Sequence, residues 1–120
     1  MDTKLILYVG ELAAGEALAT AAEANGHYVY LPHTTMQALG MYITYMPHVI
    51  VIDMETANAQ EVYEHLRSVD AQPMVLLSEE RLRLAIIHTL PRTAAPEAII
   101  DYIERLGQPN REPNGVLRYA

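Results

Sequence analysis

Four short runs of apolar residues, each stopped abruptly, restrict this chain more than any other feature. Leu5 to Val9 ends at Gly10, His27 to Leu31 at Pro32, Val49 to Ile52 at Asp53, and Met74 to Leu77 at Ser78. None alternates with polar residues and several are β-branched, the pattern of strands covered on both faces. Between them, apolar residues recur at helical spacing. Leu12, Gly15, Leu18, Ala19 and Ala22 form one stripe, stopped by Asn25-Gly26. Met36, Leu39, Ile43 and Met46 form a second, stopped by Pro47, and Val62, Leu66 and Val69 a third. Ile99, Ile100, Ile103 and Leu106 form the last, with Pro96 and Glu97 in its first turn and Gly107 after it. Strands and helices in this alternation call for parallel strands, right-handed crossovers and helices on both sides of one sheet.

Residues 79 to 92 admit two readings. A fifth strand over Leu84 to Leu90, closed by Pro91, is favoured by the β-prone Ile86-Ile87-His88-Thr89. The other reading is a helix over Arg81 to His88 followed by a very short strand. A single domain over residues 1–107 is expected, with residues 108–120, marked by Pro109, Pro113 and Gly115, as an irregular tail.

Composition removes several function classes. Eight basic residues against 15 acidic ones give a net charge of −7, the wrong balance for a phosphate backbone, so no nucleic-acid partner is expected. The absence of cysteine excludes disulfides, thiol catalysis and thiolate metal sites. Asp2 and Glu11 bracket too short an apolar stretch for a signal peptide, and no segment approaches a membrane span. A cytoplasmic protein without a membrane partner is the expectation. The five histidines lack metal-ligand spacing, Ser78 lacks a nucleophile-elbow pattern, and Gly10 and Gly15 do not make a phosphate loop. No enzymatic turnover is expected.

In an open parallel sheet, function gathers at the carboxyl ends of the strands. Here those ends carry Gly10-Glu11, Pro32-His33, Asp53, Ser78 and Arg92. An acid after the third strand, a hydroxyl after the fourth and a cation after the fifth resemble the receiver domain of bacterial response regulators. Gly26-His27-Tyr28-Val29, Ala38-Leu39 and Pro47 through Asp53 keep that family's register without a gap. The register resumes at Gln72 to Ser78 and again at Leu90-Pro91-Arg92-Thr93 and Pro96-Glu97-Ala98-Ile99.

The resemblance implies an α/β fold: a flavodoxin-like (CheY-like) doubly wound sandwich with a five-stranded parallel sheet. It also implies a role in two-component, phosphorelay signalling, with Asp53 as candidate phospho-acceptor and Ser78 and Arg92 as switch and phosphate contacts. Its departures are as informative. The two acids that hold Mg²⁺ in the family fall on Val9 and Gly10, which leaves only Glu11 and Asp53 to offer a metal their carboxylates. The family's Lys-Pro is Arg92-Thr93, and only 13 residues separate Ser78 from Arg92, so the fourth helix is expected to be shortened or absent.

The expected function is a stand-alone pseudo-receiver that works through a protein partner, a sensor kinase or another regulator, with Mg²⁺-dependent phosphorylation impaired. The alternatives are an atypical but working phospho-acceptor at Asp53 and a flavodoxin-like small-molecule binder. Plainer roles stand beside these. Asp53 is suited to capping the turn after it, Ser78 to capping a helix, and Arg92 to pairing with Asp53 with no phosphate present. Two surfaces suggest contact with a partner or a second copy: the second helix, crowded with Met41, Tyr42, Tyr45 and Met46, and the segment around Leu82, Leu84 and Ile86.

Overall fold

The apolar runs are strands of one parallel sheet, three of them inner and the second, partly exposed, at its edge. The computed structural model describes residues 3–69, 73–78, 88–106, 110–111 and 117–118. Its strands are β1 (Leu5–Val9), β2 (Tyr28–Tyr30), β3 (Val49–Asp53), β4 (Met74–Ser78) and β5 (His88–Pro91), in the order β2-β1-β3-β4-β5. Every neighbouring pair is parallel. The helices are α1 (Leu12–Ala24), α2 (Thr35–Tyr45), α3 (Ala59–Ser68) and α4 (Pro96–Leu106). The chain reverses its direction of winding between β1 and β3, so a crevice opens at the carboxyl ends of those two strands.

Strand parity assigns each side chain to a layer. Ile6, Tyr8, Val49, Val51, Val75 and Leu77 face Leu18, Ala21 and Ala22 of α1 and Ile99, Ile100 and Ile103 of α4. Leu7, Val9, Ile50, Ile52, Met74 and Leu76 face Ala38 of α2 and Val62, Tyr63 and Leu66 of α3. Both faces are covered, so all five positions of β3 and of β4 are buried. This is why the runs show no alternation.

The histidines flanking β1 are structural. The Lys4 N–H donates to His27 Nδ1 at 3.0 Å and the Leu5 N–H to His48 Nδ1 at 2.9 Å. With Nδ1 accepting, the ring hydrogen of buried His27 sits on Nε2, which lies 3.0 Å from Glu104 Oε2 on α4.

The structure changes some of these expectations. The second apolar stripe has the wrong phase: Met36, Ile43 and Met46 are exposed, and α2 meets the sheet through Ala38, with Leu39, Met41 and Tyr42 half-buried. The helix is apolar on both faces, and periodicity alone could not choose between them. Val69 ends its stripe exposed as the C-cap of α3. The fifth strand is seen over His88–Pro91. Residues 79–87, and with them the alternatives of strand or shortened fourth helix and the Leu82–Ile86 surface, lie outside the described residues. In the tail, where irregular chain is expected, Asn110–Arg111 (β6) and Leu117–Arg118 (β7) form a two-residue antiparallel ladder.

The start of α2 depends on a reciprocal cap. Thr34 Oγ1 accepts from the Gln37 N–H at 3.0 Å, while Gln37 Oε1 accepts from the His33 N–H at 2.7 Å. Thr34→Ala is expected to cost about 1 kcal/mol, read as a lower urea midpoint at unchanged slope. An unchanged midpoint would show the cap to be dispensable.

Candidate functional site

The parallel register brings the strand-end residues to one edge. Asp53, the last residue of β3, is paired with Leu77, and Ser78 follows on β4, itself paired with Pro91 of β5. Arg92 is the next residue. It reaches back across β4: its Nε–H lies 3.1 Å from both Oδ1 and Oδ2 of Asp53. The carboxylate is buried, at 6% exposure, whereas the guanidinium is about one-third exposed at 32%. On the outer side, Arg92 Nη2 approaches Glu11 Oε1 at 3.6 Å. One cation thus lies between two anions from β3 and the β1–α1 loop.

Asp53 also organises the chain that follows it. Its Oδ1 accepts from the Glu55 N–H at 3.0 Å, and its backbone carbonyl accepts from Thr56 Oγ1 at 2.7 Å. The turn-capping role and the ion-pair role are therefore combined in one side chain. Ser78 is buried at the end of β4.

Tyr8 is the site residue that sequence reasoning missed. Two residues before Gly10 on the same strand face, its ring is buried at 3% exposure. A Cβ placed on Gly10 would sit 2.5 Å from the Tyr8 hydroxyl and 2.7 Å from its ring. Any acid at position 10 therefore requires the phenol to move. The Tyr8 hydroxyl is held protonated up to about 12, chiefly by burial and then by the negative charges of Asp53 and Glu11, with Arg92 acting in the opposite sense. The signal was available: Tyr8 is the single polar-tipped side chain within the first apolar run.

These groups rim a cleft of about 210 Å³ between α1 and α4, also lined by Leu18, Leu77 and Ile99. The receiver family uses this edge for Mg²⁺, and the residues present do not fit it. Magnesium needs carboxylates free to replace its tightly held water, but Asp53 and Glu11 face a guanidinium, and position 10 carries no side chain. Among the described residues no group of three or more His, Asp or Glu is placed to hold a metal.

No protein-family model and no curated protein matches the sequence. Solved structures do match the fold. The Vibrio cholerae chemotaxis response regulator CheY4 superposes with a TM-score of 0.71 over 88% of this chain and 98% of its own, at 14% identity. The chain has the receiver fold. The pseudo-receiver domain of the CikA protein gives 0.65 over 89% of this chain and 98% of that one, at 20% identity. NtrX from Brucella abortus, in a complex with ATP, gives 0.73 over 87% of this chain but only 26% of that longer one, at 17% identity. At such identities the similarity is one of architecture, and function must be argued from the site. Among the described residues of this receiver-fold chain, no helix is long and apolar enough to cross a membrane.

Proposed function

We propose that this chain is a pseudo-receiver: a response-regulator-like signalling module that acts by binding another protein, without Mg²⁺-dependent phosphoryl transfer and without turnover of its own. One observation carries the reading, the contact of Arg92 Nε with both carboxylate oxygens of buried Asp53. A phosphoryl group arriving at Asp53 would have to displace that cation and would meet Glu11 on its far side, with no metal to spread the developing charge. In this reading Asp53 and Arg92 form a fixed pair that holds β3 to the end of β5, and Ser78 ends β4, the strand between them. The fold match to receivers, a pseudo-receiver among them, supports signalling through a protein partner such as a sensor kinase or another regulator.

Amide NMR titration with Mg²⁺ and then beryllofluoride, an aspartyl-phosphate mimic, tests this against Asp53→Asn. The expected spectra are flat around Gly10, Asp53, Ser78 and Arg92. Saturable shifts there that vanish in Asp53→Asn would overturn the reading and establish an atypical phospho-acceptor.

A further inference from the structure

The cleft between α1 and α4 is lined by a buried polar group that the chain does not satisfy. Tyr8 is 3% exposed, and none of the hydrogen bonds among the described residues reaches its hydroxyl. A phenol buried this deeply ordinarily has a partner. Tyr8 lines the cleft together with Glu11, Asp53 and Arg92.

The rest of the lining is mostly apolar. Leu18, Leu77 and Ile99 are buried, and the small Ala14, Ala17 and Ala94 leave room above them for an occupant. The cleft measures about 210 Å³. An apolar cavity of about 150 Å³ takes up benzene, so this one admits a single ring with a short arm.

Charge selects the head group. Among the described residues two carboxylates face one guanidinium, and Asp53 already accepts from Arg92 Nε. Glu11 is 67% exposed, and its 3.6 Å approach to Arg92 is too long for a hydrogen bond. Its carboxylate is therefore able to turn to a cation at the rim. An anion would meet both Glu11 and Asp53, and a neutral head would leave the charge of Glu11 unanswered. The proton on Tyr8 responds to the same field. Burial holds it first, and then the charges of Asp53 and Glu11 against the opposing Arg92. A protonated phenol still accepts an N–H through its oxygen. We infer that this cleft binds a small primary amine on an apolar body, with the ammonium between Tyr8 Oη and the Glu11 carboxylate and the body against Leu18, Leu77 and Ile99.

Binding there requires no metal or phosphoryl chemistry at Asp53. Amide NMR titration of the full chain with 2-phenylethylamine, at neutral pH and low salt, is expected to give saturable shifts at Gly10, Glu11, Ala17 and Ala94. 2-Phenylethanol has the same shape without the charge and is expected to bind about fivefold more weakly. Phenylacetate is expected to give no saturable shift. Glu11→Gln is expected to weaken the amine about fivefold and to erase its preference over the alcohol. Tyr8→Phe keeps the ring and is expected to weaken the amine about fivefold through the lost hydroxyl. Ala17→Leu, at an exposed helix position, is expected to fill the cleft and abolish binding at an unchanged melting temperature. Flat spectra with the amine would overturn the inference. So would an alcohol or phenylacetate that binds as tightly, an amine indifferent to Glu11→Gln, or shifts that survive Ala17→Leu.

Discussion

Arg92→Ala is expected to destabilise the fold by about 2–3 kcal/mol, far more than an ordinary surface truncation. Removing one partner of a buried ion pair costs roughly 3–5 kcal/mol because the other charge stays buried and uncompensated. Asp53 meets that description at 6% exposure, but Arg92 is about one-third exposed, and water would reach part of the space it vacates. The figure therefore belongs below the fully buried range. The alternative is that the pair merely decorates the sheet edge, in which case the loss would be about 0.5 kcal/mol. Urea unfolding separates the two, and a double-mutant cycle assigns the cause. Asp53→Asn keeps an oxygen to accept the Glu55 N–H while removing the charge, so it should cost about 1 kcal/mol. In that background Arg92→Ala should cost about 1 kcal/mol or less, leaving a coupling of roughly 1.5–2 kcal/mol. Additive effects would refute the pair as a structural clamp, and with it the main support for the pseudo-receiver reading.

That clamp was legible in the sequence as an arrangement, though not as a choice between roles. Asp53, Ser78 and Arg92 each follow an apolar run that a parallel sheet must align, so their shared edge followed from topology. Whether Arg92 waits for a phosphate or already holds Asp53 depends on side-chain reach, about which spacing says nothing. Glu11 shows the same limit. Its nearness to the edge could be read from the chain, but its turn toward Arg92 rather than toward a metal site could not. Helix α2 failed for another reason: two apolar faces fit one period equally well, and small Ala38, not the larger Met36 or Ile43, lies against the sheet. Tyr8 was hidden because an apolar run reads as packing alone. Parity puts it on the same face as position 10, but only coordinates show that its phenol occupies the space a side chain there would need.

Tyr8 yields the second large effect, an alkaline loss of stability that Tyr8→Phe should abolish. An unfolded tyrosine loses its proton near pH 10, whereas Tyr8 in the fold holds its proton up to about 12. The folded state therefore binds the proton more tightly, and between these two values unfolding releases it. The stabilisation is fully present below about pH 10 and is lost as pH rises towards about 12. Two pH units of linkage amount to roughly 2.7 kcal/mol, and about 2 kcal/mol is expected because the phenol borders an open cleft. Tyr102, also raised by burial, adds a drift in the same direction that is common to wild type and variant. The difference between the two proteins thus isolates Tyr8. Equal slopes in wild type and Tyr8→Phe across this window would refute the burial of the phenol beside Asp53 and Glu11. The expected divergence would tie the missing acid at position 10 to its physical cause. A tyrosinate would add a third negative charge to a site with one guanidinium, so Tyr8 stays neutral and fills the space beside Gly10 with a ring. The same ring occupies the space that a side chain at position 10 would need, and Arg92 is the cation between Asp53 and Glu11.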